Sequence, residues 1–114
     1  MKKINIIKKN EDFSRIIHSC KYIKNDLFVI YIERNENINN YHFGISVSKK
    51  IGNAVLRNKI KRQIKDIIDK FDYQNNFNCI IIVKKNISFS NYKEMKEKLF
   101  YLLTRENVIK GEKK

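Results

Sequence analysis

The feature of this sequence that most constrains the fold is a continuous apolar run, NCIIIVK, at residues 78–84. Because the run lacks polar alternation, it predicts a fully buried strand. Two earlier segments rich in β-branched and aromatic residues, CKYIK (20–24) and LFVIYIE (27–33), predict a short strand and a longer one. Strict alternation in HFGISVS (42–48) predicts a strand with one buried face. That face carries Phe43, Ile45 and Val47.

Three other segments have helical periodicity. Asn10 can serve as the N-cap of the first helix, and Asn53 as the N-cap of a second that runs to about Phe71. A third helix follows Asn91, which with Glu94 fits the asparagine form of a capping box. The apolar face of the first helix consists of Phe13, Ile16, Ile17 and Cys20. That of the third consists of Tyr92, Met95, Leu99, Leu102 and Leu103.

The order of these elements predicts an α+β fold. We expect a two-layer sandwich of a small sheet of about four strands and three helices, in the order αβββαβα. A chain of 114 residues without Pro and with three Gly has no linker-like segment, so residues 1–114 are expected to form a single domain. Residues 106–114 are expected to be a flexible tail.

The charge of the chain favours a polyanionic partner. Its 25 Lys and Arg exceed its 12 Asp and Glu, which gives a net charge of +13. Cys20 and Cys79 lack the spacing of a metal site or a disulfide framework, so we expect a reduced, cytoplasmic protein. No apolar run is long enough to span a membrane, and charges interrupt the short apolar patch in MKKINIIKKN. We therefore expect neither a membrane partner nor secretion.

One segment, SKKIGNAVLRNKIKRQIK (48–65), contains seven basic residues and no acid. At about 100° per residue, one helical arc of about 80° holds Leu56, Ile60, Ile64, Ile67 and Phe71. A neighbouring arc of about 140° holds Arg57, Asn58, Lys61, Arg62 and Lys65. Like charges at i,i+4 cost a few tenths of a kcal/mol each, and cations at a helix N-terminus oppose the macrodipole. A phosphate backbone would remove both penalties, so the segment predicts a nucleic-acid interface. The alternative is an ordinary solvated face.

The run GISVSKKIGNAVLRNKIKR (44–62) closely resembles the signature of the protein subunit of bacterial ribonuclease P. In that signature a strand ending in V-S-K-K precedes G-x-A-V-x-R-N-R-x-K-R on a helix. Other segments are similar to the family's first helix (KKNEDFSRII), aromatic strand (FVIYIE), buried strand (IIIVKK) and closing helix (NYKEMKEKLFYLL). The resemblance covers roughly residues 2–105.

This resemblance implies a left-handed β-α-β crossover through the basic helix. It also implies a function in 5′ maturation of precursor tRNA, as the accessory protein of an endoribonuclease. In that family the RNA subunit is the catalyst, and the Mg²⁺ of the holoenzyme is bound mainly by RNA. The protein is then expected to supply no catalytic residue and to hold no metal. The implied partners are the RNase P catalytic RNA and precursor tRNA, without DNA.

The resemblance also implies two sets of site residues. Those facing the catalytic RNA are Lys49, Lys50, Arg57, Asn58, Lys59, Lys61, Arg62 and Lys65. Those lining a cleft for the single-stranded 5′ leader, between the first helix and the sheet, are Phe13, Ile17, Phe28, Val29 and Tyr31. Lys59 replaces the usual Arg, and Ile17 stands where an aromatic is common and offers no π face. Without the resemblance, spacing favours core packing for Phe13 and Tyr31.

Other functions are open from the residues alone. A ribosomal protein or a double-stranded RNA binding domain also places basic residues at the start of a helix, although in the latter domain that helix ends the fold. A nuclease acting through protein groups would need an acid–base pair or metal ligands, for which the candidates include His18, His42, Asp66 and Asp69. A role at a membrane surface would require the apolar arc that the core needs.

Overall fold

The structure is a computed structural model that describes residue 2 and residues 5–113. Short 3-10 segments, Lys49–Ile51 and Lys85–Phe89, precede the second and third helices. The helices are α1 (Asn10–Ser19), α2 (Ala54–Ile68) and α3 (Tyr92–Arg105). The strands are β1 (Tyr22–Lys24), β2 (Phe28–Arg34), β3 (Tyr41–Ser46), β4 (Phe71–Tyr73), β5 (Phe77–Val83) and β6 (Ile109–Glu112).

The strand β5 lies inside a four-stranded sheet with the order β1-β2-β5-β3. β2 is antiparallel to β1 and β5, whereas β3 is parallel to β5. Ile81 of β5 is paired with Ile30 on one side and Ile45 on the other. Six of the seven β5 residues are buried, which confirms the strand predicted from NCIIIVK. Because α2 connects β3 to β5, these elements form a β-α-β crossover, whose left hand stays a prediction.

The two faces of this sheet are covered by different helices. Cys79, Ile81 and Val83 of β5 belong to the main core with residues of α2 and α3. The alternate residues of β5 point to the other face, where α1 packs against β2 and β5. On that second face Ile80 is fully buried, as is Ile16 of α1. The expected α+β fold of three helices and a four-stranded sheet is confirmed. Helices on both faces make three layers instead of the expected two, because α1 packs on the face opposite to α2 and α3.

The helices α2 and α3 begin where their sequences predict. The Asn53 side chain accepts a hydrogen bond from the Leu56 amide at 2.9 Å, and the Asn91 side chain accepts one from the Glu94 amide at 2.9 Å. These are N-caps, which satisfy amides that have no partner inside the helix. The side chains that the two helices bury are Ile60, Ile64, Ile67, Ile68, Met95, Leu99, Leu102 and Leu103.

Two helix boundaries differ from the sequence expectation. Asn10 is the first residue of α1, and Lys9 occupies the cap position without a side-chain hydrogen bond. α2 ends at Ile68, because the Tyr73 hydroxyl donates to the Ile68 carbonyl oxygen at 2.6 Å and the chain turns into β4. Phe71 is therefore a strand residue, although it is buried as predicted.

The C-terminal residues also differ from the expected flexible tail at 106–114. Ile109–Glu112 form β6, which pairs antiparallel with β4 in a second sheet of two strands. Val108, just before it, is fully buried, and the Lys113 amide donates to the Lys70 carbonyl at 2.8 Å. The burial of Val108 and the pairing of β6 with β4 hold this segment in place. Both are long-range contacts, so the local composition of residues 106–114 does not indicate them.

Candidate nucleic-acid interface

Seven cations lie on α2 and on the 3-10 segment before it. We call them the basic surface: Lys49, Lys50, Arg57, Lys59, Lys61, Arg62 and Lys65. Four are exposed, and Arg57, Lys61 and Lys65 are partly exposed. Among residues 2 and 5–113, none of the seven is paired with a carboxylate, whereas Lys96 and Lys98 of α3 are. The structure therefore gathers the residues predicted to contact RNA and leaves their charge uncompensated.

Local hydrogen bonds hold two of these cations at the N-terminus of α2. The Ser48 hydroxyl accepts from the Lys50 amide at 3.1 Å, and Ile51 is buried behind the 3-10 segment. The first turn of α2 contains no acid. Lys49 and Lys50 therefore add to the positive end of the helix macrodipole, where an anion is the stabilising neighbour.

The two arginines of the basic surface are presented differently. The Arg57 Nε donates to the Gly52 carbonyl at 3.2 Å, which orients its guanidinium and leaves the terminal N–H groups for a ligand. Arg62 is exposed one turn and a half further along α2, and Asn58 beside it is also exposed. Guanidinium groups bind phosphate oxygens in pairs, so both positions are suited to a nucleic-acid backbone.

The nearest acid of α2 is held by α3 and does not pair with the basic surface. The Tyr92 hydroxyl donates a hydrogen bond to Asp66 Oδ2. Partial desolvation, together with this hydrogen bond to the carboxylate, raises the pKa of Tyr92 to about 12. Asp69 likewise has an interaction within the chain. The helix thus carries acids only at its end, beyond the cations.

The α1 face of the sheet brings together four of the five residues predicted to line a leader cleft. Val29 and Tyr31 lie on this face of β2, opposite the fully buried Ile30. The Tyr31 ring centroid lies 5.6 Å from that of Tyr22, which is 52% exposed. Tyr22 was not predicted as a site residue, although the aromatic and β-branched content of CKYIK placed it in a strand. Two tyrosines thus form an aromatic platform at the edge of the sheet.

Phe13 of α1 packs over a glycine on the same face. A Cβ on Gly44 would lie 2.5 Å from Phe13 Cζ and 2.9 Å from Ile80 Cδ1, so only glycine permits this approach. Phe13 and Ile17 are partly exposed, as residues at the border of a cleft would be. Phe28 does not belong to this group. It is fully buried in the main core on the opposite sheet face, because neighbours in a strand point to opposite sides.

A polar chain of side chains continues along the α1 face. His42 Nδ1 lies 2.8 Å from Asn78 Oδ1, and Asn78 Nδ2 donates to Glu33 Oε1 at 2.9 Å. The other Glu33 oxygen pairs with Arg15 of α1. Arg15, His42 and Asn78 border a cavity of about 450 Å³ that Lys9 also lines. Asn78 is 8% exposed, and its hydrogen-bond network was not predicted from the sequence.

The residues considered for protein-borne catalysis are not brought together. His42 contacts Asn78, His18 Nδ1 lies 2.6 Å from the Ser14 carbonyl oxygen, and Asp66 accepts from Tyr92. In the part of the chain that the structure describes, no three His, Cys, Asp or Glu side chains are grouped to hold a metal ion. No described helix is both long enough and apolar enough to cross a membrane.

Comparison with known proteins identifies relatives along almost the whole chain. The family described as Ribonuclease P matches residues 1–107. The Ribonuclease P protein component of Listeria welshimeri is 40% identical over 114 residues, covering 96% of this chain and 94% of the relative. That of Bacillus cereus is 39% identical over 112 residues, covering 95% and 96%.

Solved structures agree with these sequence matches. A Staphylococcus aureus RNase P protein mutant superposes with a TM-score of 0.84 at 37% identity, covering 93% of this chain and 91% of that one. The RNase P protein from Thermotoga maritima gives a TM-score of 0.75 at 27% identity, with coverage of 87% and 94%. Sequence and fold together show that this chain belongs to the Ribonuclease P family, as a relative of its protein component.

Proposed function

We propose that this chain is the protein subunit of the ribonuclease P ribonucleoprotein and promotes removal of the 5′ leader from precursor tRNA. In this proposal it binds the catalytic RNA through the basic surface and the leader through the α1 face. The observation that best supports this proposal is that the seven cations of the basic surface have no carboxylate partner among the described residues. A structured RNA supplies the missing negative charge.

The basic surface would act mainly on the RNA backbone. Arg57 and Arg62 would each bind phosphate oxygens in bidentate fashion, the lysines would act as point charges, and Asn58 would hydrogen-bond a sugar or a base edge. Binding would release counterions from the RNA, so the affinity would depend steeply on salt. The proposed setting for this assembly is the cytoplasm.

The proposed division of labour assigns phosphodiester hydrolysis to the RNA subunit and positioning to the protein. Mg²⁺, held mainly by RNA phosphates, would supply charge stabilisation for that hydrolysis. The basic surface would lower the repulsion between the two RNAs that must meet, and so lower the Mg²⁺ concentration that assembly requires. No step is assigned to a protein-bound metal.

The α1 face would hold the single-stranded leader. Tyr31 and Tyr22 offer aromatic faces at the sheet edge, and base–aromatic stacking tolerates any sequence. Val29 and Ile17 would add apolar contact without stacking. A leader bound in this way would distinguish precursor from mature tRNA without reading bases.

Reconstitution with a bacterial RNase P RNA tests the proposal. At low Mg²⁺, where the RNA alone is inactive, adding this protein should restore cleavage of precursor tRNA at the 5′ end of the mature sequence. The protein without RNA should cut nothing. Failure to restore cleavage, together with equal affinity for any RNA duplex, would instead support a general RNA-binding protein. Cleavage by the protein alone would revive a protein-borne active site.

The leader contact has its own test in Tyr31. Tyr31→Ala should weaken holoenzyme binding of precursor tRNA by about 1 to 3 kcal/mol, the typical contribution of one stacked base, and leave mature tRNA unaffected. Tyr31→Phe keeps the ring and should bind like wild type. An equal loss for both tRNAs would show that Tyr31 serves only the fold.

A further inference from the structure

The most exposed large apolar side chain among the described residues is Phe89, at 89%. It ends the 3-10 segment Lys85–Phe89, between β5 and α3. Val55, at 79%, and Leu56, at 37%, are also exposed, near the N-terminus of α2. A groove of about 380 Å³ runs between these elements, and both Leu56 and the neighbours of Phe89 line it.

The backbone around Phe89 is anchored on both sides. Ile87, two residues before, is 4% exposed and belongs to the core. The Ser90 amide and hydroxyl both donate to the Ile87 carbonyl oxygen, at 3.1 and 2.7 Å, and Asn91 then caps α3. Moving the backbone of Phe89 inward would require breaking this turn or removing Ile87 from the core. The backbone that carries the exposed Phe89 ring is therefore held in place. This lowers the entropic cost of binding a ligand there.

The segment that carries Phe89 is basic, although Glu94 follows it in the first turn of α3. Residues 84–93, KKNISFSNYK, contain three lysines and no acid. The 3-10 segment of Phe89 packs against the 3-10 segment that carries Lys49 and Lys50. Lys59 lines the groove beside Leu56 and belongs to the basic surface. A ligand that covers Phe89 must therefore combine a flat apolar face with negative charge.

We propose that Phe89 stacks on an unpaired nucleobase of the RNA that the basic surface binds. This inference rests on the function proposed above. A nucleotide provides both properties that the site selects, since its base has a π face and its phosphate is anionic. An apolar protein partner would desolvate the surrounding lysines without compensation, and charged residues are depleted from the cores of protein interfaces. A second copy of this chain carries the same +13 charge and would be repelled.

Substitutions at residue 89 separate stacking from apolar contact and from charge. Phe89→Ala should weaken binding of a bacterial RNase P RNA by about 5- to 150-fold, as loss of one stacked base predicts. Phe89→Leu should lose nearly as much, whereas Phe89→Tyr should bind like wild type. The salt dependence should be unchanged in all three, because no phosphate contact is removed. Tyr101→Ala, which removes an aromatic ring 54% exposed on α3, is the matched control and should have no effect.

A spectroscopic probe reports the contact directly. The chain contains no Trp, so Phe89→Trp introduces a single tryptophan. Saturation with the RNase P RNA should quench its emission and protect it from acrylamide. Unchanged emission at saturation would overturn the proposal, as would wild-type affinity of the Ala and Leu variants. Emission that changes with protein concentration in the absence of RNA would instead identify self-association.

The outcomes distinguish this inference from the proposed function. If wild-type protein binds RNase P RNA no more tightly than an unrelated duplex, the proposed function fails. If wild type binds tightly and supports cleavage while Phe89→Ala does the same, only the stacking contact is wrong. Circular dichroism and thermal unfolding of each variant check that the overall fold is intact.

Discussion

The helices α2 and α3 pack against each other over one core, yet they carry their charges in opposite ways. α3 has Glu94 in its first turn and Arg105 in its last, and both complement the helix macrodipole. Its Lys98 Nζ lies 2.9 Å from Asp26 Oδ1. Two lysines of α3, Lys96 and Lys98, therefore find carboxylate partners within the chain.

The cations of α2, in contrast, have no carboxylate partner among the described residues. Arg57, Lys61 and Lys65 follow one another at i,i+4, where like charges repel, and the first turn has cations nearby and no acid. Both helices bury a comparable set of Ile, Leu and Met side chains, so core packing does not explain the difference. We expect this pattern to cost the free protein stability, and the anionic partner proposed above would offset that cost.

The arginines give the largest expected effect. Arg62→Ala and Arg57→Ala should each weaken assembly with RNase P RNA by about 1 to 3 kcal/mol, because each removes a charge-assisted contact. Arg105→Ala on α3 is the matched control and should leave the affinity unchanged. Filter binding or calorimetry measures the affinity, and thermal unfolding checks the fold. Equal losses from α2 and α3 would show that only total charge matters.

Salt dependence should also separate the two helices. If four to six phosphates are neutralised, log affinity should fall with log salt with a slope of about −3 to −5. Lys61→Ala should make that slope shallower by about 0.7 to 0.9, the share of one phosphate contact. Lys96→Ala on α3, where the ammonium is already paired with Glu112, should leave it unchanged, and a slope insensitive to both would place the phosphates elsewhere.

Introducing the α3 charge pattern into α2 should raise stability while destroying function. Lys61→Glu creates the pairs Arg57–Glu and Glu–Lys65, each worth about 0.2 to 0.5 kcal/mol in the free protein. Urea unfolding should show this gain, while RNA affinity falls. Lys98→Glu on α3 should do the opposite to stability, since it removes the contact with Asp26 and places like charge beside it. A destabilised Lys61→Glu would mean that α2 is not strained by its own charge.

Sequence patterns predicted these helices well because the signals that specify them are local. Asn53 and Asn91 lie next to the amides that they cap, and apolar spacing selected the buried face of each helix. The same local logic fails for β4 and β6, which are three and four residues long. They exist because Phe71 stacks on Phe100 at a centroid distance of 4.9 Å and because the two strands pair across the chain.

The site was predicted unevenly for a related physical reason. A cation cannot be buried cheaply, so a cluster of them in sequence predicts a surface. An apolar residue can lie on either side of a sheet. Strand alternation places Phe28 and Val29 on opposite faces of the sheet but does not indicate which of the two faces the main core. In the structure Phe28 faces the core. Gly44 permits the approach of Phe13, and Phe89 is held outward by its neighbours; both depend on tertiary packing.

The smallest expected effect concerns the paired charges of α3. The hydrogen bond from Lys98 lowers the pKa of Asp26, and the same contact raises the pKa of Lys98. Because the folded state favours the Asp26 carboxylate, the pair stabilises the fold above the ordinary Asp pKa, and this contribution is lost as pH falls through the lowered value. Lys98→Ala should return the Asp26 pKa to its usual range, measured by NMR titration, with only a slight change in acid stability because both groups are exposed.

The RNA affinity of Lys98→Ala should equal that of the wild type. If Lys98→Ala weakened RNA binding as much as Lys61→Ala, a charge already paired within the chain would contribute as much as an unpaired one, and the contrast between the two helices would fail.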